Sequence, residues 1–425
     1  MDPAQKRRKL ADAVREFVRA EFTPHFGELA HTFDSHPTWR RVRELGTELW
    51  LDTGSLEDAG ELWTREFAAL TTNNTLLNKE VQRGIYDDLI REAANLLRPY
   101  GLSQQELVLE VAFVLNARHG LRLVETFDAR VSVEEHTDLA HDVDRAVAVA
   151  RRYHAICPER FIVKIPLTPA GLLATRRLAR EGVAVNHTLG FSARQNYLVA
   201  RLAQPAYVNV FLGRLGSFVA DNRLGEGSYV GEKATLASQA AVRTLRRDRQ
   251  SPSRQIGASL RQGTQVRDLL GLDVMTMPPR VARDFLQLAP DDHELVDHTS
   301  MAYQPALDED TDPQAAGLDT LWDVGPDLVA CADALEQEDL EAFSPADLVG
   351  FLHDRGCGDV LPRWSEEQLA TSAEEGKIPQ LANWRDALAE KTVGLDSLMN
   401  LAGLNAFAAD QRAMDERVAG VLAGR

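Results

Sequence analysis

A lysine inside an apolar run, a carboxylate closing another such run and arginines near the ends of two later ones are the residues here that could do chemistry. Lys164 sits in Phe161-Ile162-Val163-Lys164-Ile165-Pro166, a run that reads as a buried strand. Lysine is among the residues least often buried, so it either snorkels from a strand end or is held inside for the sake of its amine. An amine in apolar surroundings gives up its proton more readily than one in water. Once neutral it attacks a carbonyl and forms a Schiff base, which draws electrons from an adjacent C–C bond as that bond breaks. For a lone strand lysine the snorkelling reading is the commoner one, and only its company argues otherwise.

That company is specific. Asp52 ends the segment 48–53, and Thr71 and Asn73 end the next. Side chains two apart on a strand share a face, so Asn186 and Thr188 point together, and Arg261 lies two residues beyond Ser259. A barrel built only for stability would not need polar residues at one end of so many strands.

The elements that would position them follow from the rhythm of the chain. Strands are expected at 48–53, 68–72, 121–127, 160–166, 183–189, 206–212, 255–260 and 273–278, mostly separated by amphipathic helical patterns such as GLLATRRLARE. Eight strands, each followed by a helix, in about 250 residues are the dimensions of an α/β (β/α)8 TIM barrel, whose chemistry lies at the C-terminal ends of the strands. Residues 1–45 read as an N-terminal helical extension and 46–300 as the barrel. Residues 301–425, entered through the acidic LDEDTDPQ, read as a helical C-terminal extension packing on it. In the last helix Phe407, Met414, Val418 and Val421 form one stripe that must dock on something.

Composition narrows the function. Of 425 residues 44% are hydrophobic and 26% charged, an ordinary globular balance. The net charge of −17 sets nucleic acid against repulsion over most of the surface, whereas a small anion needs only a local cluster of arginines. No apolar run reaches the length of a membrane span, and the N-terminal MDPAQKRRKL lacks the apolar core of a secretory signal. Three cysteines without a C-x-x-C pair suit a reducing cytoplasm.

Several stretches carry a likeness together: LDTGSLED, LTTNNTLLNKE, FIVKIPLTPAG, VNHTLGFSARQ, FLGRLGSF and IGASLRQ, in this order over residues 48–262, and FAADQ in the last helix. In this set the chain resembles the transaldolase family, Schiff-base enzymes of the pentose phosphate pathway. The resemblance implies transfer of a dihydroxyacetone unit, from sedoheptulose 7-phosphate to glyceraldehyde 3-phosphate, giving erythrose 4-phosphate and fructose 6-phosphate. It implies no metal or organic cofactor, with sugar phosphates as the partners and a homo-oligomer as one allowed state. By the same resemblance Lys164 is the Schiff-base residue, and Asp52 shuttles the proton of the C4 hydroxyl. Thr71, Asn73 and Asn186 hold substrate hydroxyls, and Thr188 holds the catalytic water. Arg214, Ser259 and Arg261 take the phosphate, a sensible use of guanidinium forks.

Two departures accompany the likeness. The family has a glutamate near the end of strand three, in a stretch like S-T-E-V-D; with that strand at 121–127 the position falls to Thr126, and Glu125 faces the other way. Asp128 or Asp52 would then have to substitute, or a bulge in the strand would turn Glu125 inward in its place. Asn209 stands where the family has serine and still donates a hydrogen bond. Two rival readings follow: a related lyase that releases free dihydroxyacetone, whose usual tyrosine is absent at Phe211, and a sugar-phosphate-binding protein without turnover.

Other signals read as ordinary structure. GLDSLM mimics a phosphopantetheine site at Ser397 but is better a helix start capped by Asp396 or Ser397. His136 and His141 are not spaced as i, i+4 ligands and are expected on a solvated helix. GEGSYVG, 225–231, lacks nucleotide-loop spacing and reads as a mobile loop.

Overall fold

The computed structural model describes residues 3–29, 32–291 and 293–424. Eight parallel strands close into a barrel in sequence order: β1 (Glu48–Asp52), β2 (Phe67–Thr71), β3 (Arg130–Glu134), β4 (Phe161–Pro166), β5 (Val185–Thr188), β6 (Tyr207–Phe211), β7 (Arg254–Ala258) and β8 (Val274–Met277). β1 pairs with both β2 and β8, so no strand edge is left open. Every residue of β4, β5, β6 and β8 is buried, because barrel strands are covered on both faces.

Ahead of the barrel lie α1 (Pro3–Arg19) and α2 (Pro37–Glu44). Around it run α3 (Leu56–Gly60), α4 (Asn74–Gln82), α5 (Asp87–Leu97), α6 (Gln104–Phe127), α7 (Val143–Ile156), α8 (Pro169–Arg180), α9 (Ala193–Leu202), α10 (Leu212–Asp221), α11 (Val230–Arg249), α12 (Gly263–Asp268) and α13 (Pro279–Gln287). Beyond it come α14 (Pro326–Leu335), α15 (Pro345–His353), α16 (Glu366–Glu375), α17 (Arg385–Ala389) and α18 (Leu395–Leu422). Local chemistry starts these helices where the strands end. Asn73 caps α4, Thr168 caps α8 with Pro169 in its first turn, and Ser192 caps α9, each accepting a backbone N–H that would otherwise lack a partner.

The third strand is not where the hydrophobic pattern put it. Residues 121–127 are the last two turns of α6, a 24-residue helix opened by a capping box between Ser103 and Glu106. From Val111 onward that helix is buried on nearly all sides, so its second half has no polar face to reveal a helical period. Asp128, at φ 48°, ends it in the left-handed conformation, and β3 starts two residues later.

One core joins the barrel to its extensions. Leu10, Val14 and Val18 of α1 belong to it, and so does the whole stripe of Phe407, Met414, Val418 and Val421 on α18. A second cluster packs Leu328 and Leu335 of α14 and Leu348 and Leu352 of α15 against Leu172, Leu173 and Leu198 of α8 and α9. GEGSYVG is held rather than loose: Ala306 exchanges backbone hydrogen bonds with Gly227 and Ser228, and Tyr229 stacks on Tyr303 at 4.9 Å.

Candidate active site

Strand register assembles the site. Parallel pairing sets Glu134 of β3 beside Lys164 of β4, and Lys164 beside Asn186 of β5. It likewise sets Asp52 of β1 beside Thr71 of β2. Lys164 points inward and is 4% exposed. Its Nζ lies 3.6 Å from Glu134 Oε1 and donates to the carbonyl oxygen of Thr72 at 3.3 Å.

Thr126 has no place here. It is exposed on the last turn of α6, and its hydroxyl donates to the carbonyl oxygen of Arg122 at 2.8 Å. Glu125 accepts from Thr23, and Asp128 pairs with Arg160 and Gly27, so neither acts as a substitute. Ser132-Val133-Glu134 supplies the serine-x-glutamate spacing on the third strand, further along the chain than the sequence pattern put that strand. Asn209 lies on β6, buried.

Burial acts alike on the two inward carboxyls. Burial raises the Glu134 carboxyl above its ordinary range, opposed by Lys164 and by a hydrogen bond from Asn74 N at 2.9 Å. Burial also raises Asp52, opposed by Lys164, by the Thr71 hydroxyl at 2.8 Å and by Arg261. Thr71 meets Thr276 of β8 at 2.7 Å on its other side. Asn186 donates to Ser132 at 3.1 Å and accepts from Asn209 at 3.0 Å, a relay across β3, β5 and β6. The Thr188 hydroxyl is buried with no protein partner among the described residues, as a water-holding group would be. Asn73 spends its carbonyl oxygen on the N–H of Leu76 as the cap of α4, which fixes its side chain at the mouth.

The expected phosphate residues converge at the start of α10. Gly213 approaches the backbone so closely that a Cβ would stand 2.2 Å from the Ser259 carbonyl oxygen and 2.7 Å from Arg261 Cγ. Ser259 is held at φ 63°, unusual for a residue with a side chain. Arg214 is 7% exposed, and its Nη1 has no partner among the described residues. Burial, with Arg261 nearby, lowers its guanidinium to about 10. Burial and Arg280 lower Arg261 as well. Two guanidinium groups at the N-terminal end of a helix are suited to a dianion.

Sequence reasoning missed the cover. The Phe407 ring of α18 lies 5.6 Å from both Lys164 Nζ and the Arg214 guanidinium, and 6.3 Å from Phe211 in an edge-on contact. Asp410 of the same helix bonds Thr75, and Asn400 donates to the Leu189 carbonyl at 2.9 Å. The stripe on this helix was legible; what it covers was not. His136, expected in solvent, is 8% exposed, accepting from Asp138 N and meeting Asp415 of α18 at 3.0 Å. At the start of α18, Ser397 caps by accepting from Gly394 N, while Asp396 bonds Ser192 and Arg194.

Comparison with known proteins agrees with this geometry. A family model described as transaldolase/fructose-6-phosphate aldolase matches residues 49–348. A transaldolase of Xanthomonas euvesicatoria pv. vesicatoria is 33% identical over 247 residues, covering 56% of this chain and 74% of that protein. A probable transaldolase of Thermus thermophilus is 34% identical over 244 residues, covering 56% of this chain and 91% of that protein.

Proposed function

Because the chain belongs to the transaldolase/fructose-6-phosphate aldolase family, we propose that it transfers a dihydroxyacetone unit between sugar phosphates through a Schiff base on Lys164. The observation that carries this reading is the buried amine 3.6 Å from a carboxyl, inside the barrel and under Phe407. Lys164 gives a proton to Glu134 and its amine attacks the C2 carbonyl of the ketose phosphate, the proton of the attacking nitrogen moving to the C2 oxygen to form a carbinolamine. The carbinolamine then loses its hydroxyl as water, with Glu134 returning the proton through a water held at Thr188. A carboxyl raised by burial exchanges protons nearer neutral pH than a free one.

Asp52 takes the proton of the C4 hydroxyl while the C3–C4 bond breaks. The bonding electrons move into the imine, leaving an enamine on the lysine and releasing the aldose phosphate. The enamine carbon attacks the acceptor aldehyde, Asp52 gives its proton to the new alkoxide, and hydrolysis frees the product. Arg214, Arg261 and the start of α10 hold the donor's phosphate until the aldose phosphate leaves, and then the phosphate of the acceptor. Asn186, Thr71 and Asn73 orient the hydroxyls. The three cysteines are free and buried, which suits a reducing compartment. No helix among the described residues is long and apolar enough to cross a membrane.

Borohydride added with fructose 6-phosphate tests this directly. One dihydroxyacetone-derived mass should appear on the peptide containing Lys164, and Lys164→Ala should remove it. Labelling that persists in that variant would move the chemistry elsewhere. A coupled assay then separates transfer, which yields erythrose 4-phosphate from sedoheptulose 7-phosphate, from lysis, which yields free dihydroxyacetone.

A further inference from the structure

A crevice on the outer wall of the barrel, between α6 and α7 with α1 laid across it, is built like a second small-molecule site. Its volume is about 460 Å³, within the range of about 300–1,000 Å³ usual for ligand pockets. Leu10, Leu109, Phe113, Leu139 and Val149 make its walls apolar. Asn116 and Tyr153 line it while only 3% and 1% exposed, and neither side chain has a hydrogen-bond partner among the described residues. Gln411 of α18 also lines it; its amide donates to Asp415 at 2.8 Å, and its carbonyl oxygen has no partner among those residues. Buried polar groups are nearly always partnered; the side-chain polar atoms of Asn116 and Tyr153 reach the crevice, where a ligand can partner them.

The lining also carries unpaired positive charge. Lys6, Arg7 and Arg145 border the crevice and make no ion pair among the described residues. Of the acidic residues beside them, Glu110 holds Arg152 at 2.6 Å, and Glu106 closes the capping box with Ser103 while its charge also acts on Lys6 and Arg7. On a chain of net charge −17 such a cluster is a local exception. Arg145 and Tyr153 are eight residues apart on α7, about 12 Å at 1.5 Å per residue.

We propose that this crevice binds an amphipathic carboxylate carrying a hydroxyl at its far end. The carboxylate lies among Lys6, Arg7 and Arg145, the apolar body lies against the walls, and the hydroxyl bonds Asn116 and Tyr153. This ligand class is unrelated to a sugar phosphate, and the site shares no residue with the barrel mouth.

Calorimetric titration of the full chain with 10-hydroxydecanoate tests it. One molecule should bind per chain. Decanoate, lacking the far hydroxyl, should bind up to about tenfold more weakly. Neutral 1,10-decanediol and the Arg145→Glu variant with 10-hydroxydecanoate should each show a loss of roughly threefold or more. Ala148 is exposed and borders the crevice, so Ala148→Trp should plug it and abolish binding while turnover of sugar phosphates stays unchanged. Absent binding to the unmodified chain, binding that survives Ala148→Trp, or equal affinity for the diol would overturn the site. Equal affinity for decanoate would overturn the assignment of Asn116 and Tyr153.

Discussion

Glu134 and Lys164 form the pair on which the residue-scale chemistry turns, and their neighbours give three expectations. Glu134→Gln removes proton exchange during imine formation, a contribution of roughly 10²- to 10⁴-fold. Single-turnover trapping should slow by that order, whereas Thr126→Ala should leave the rate unchanged, since its hydroxyl only bonds the Arg122 carbonyl. Arg261→Ala removes one charge-assisted contact to phosphate, worth about 1.5–3 kcal/mol, or roughly ten- to a hundredfold in kcat/KM for phosphorylated ketoses; turnover of free dihydroxyacetone should barely change. Glu135 has both carboxyl oxygens buried without partners among the described residues, and burial together with Glu134 pushes it up to about 8. In the unfolded chain it ionises near the ordinary glutamate value, so between about pH 4.5 and 8 the folded state alone keeps the proton. Stability therefore falls as pH rises across that window, at most by a few kcal/mol at about 1.4 kcal/mol per unit. Glu135→Gln should flatten the decline in urea denaturation, with a gain at pH 8 and little at pH 5.

At the scale of elements, α18 is the part whose role the sequence half disclosed. Its stripe announced docking, but only tertiary structure sets Phe407 over Lys164. Phe407→Ala should destabilise the fold by about 3–5 kcal/mol and admit water to the imine, so free dihydroxyacetone per transfer event should rise; an unchanged ratio would remove Phe407 from the cover. Strands were legible where short apolar runs ended in Asp52, Lys164 or Asn186, because a strand covered on both faces looks like little else. The third was missed because α6 is buried almost all round, and Leu121-Arg122-Leu123-Val124 has the same composition as a strand. Two signals could have found β3: the capping box that starts α6, and the alternation of polar and apolar residues in Arg130-Val131-Ser132-Val133-Glu134. Lys164 was readable from the polar residues at neighbouring strand ends, whereas Glu134 depended on a register that local pattern did not set.

The whole molecule is fastened by a buried ion cluster between barrel and extension. Arg194 on α9 bonds Asp396 at 2.7 and 2.8 Å and Asp359 at 2.7 Å, and Asp396 is fully buried. Gly394 lies so close that a Cβ there would stand 2.0 Å from Arg194 Nη2. Breaking one side of such a cluster strands a charge and costs about 3–5 kcal/mol. Arg194→Ala should lower stability by that much, and adding Asp396→Ala should restore part of it, as urea midpoints would show. The cover over Lys164 also has a consequence for biosynthesis. Phe407 is translated 243 residues after the lysine that it shields. At about 5–20 residues per second, roughly ten to fifty seconds pass between the two. In that interval the amine proposed to form the imine lies open to any cellular aldehyde. The last long helix thus sets when, during synthesis on the ribosome, the nucleophile becomes private to its substrate.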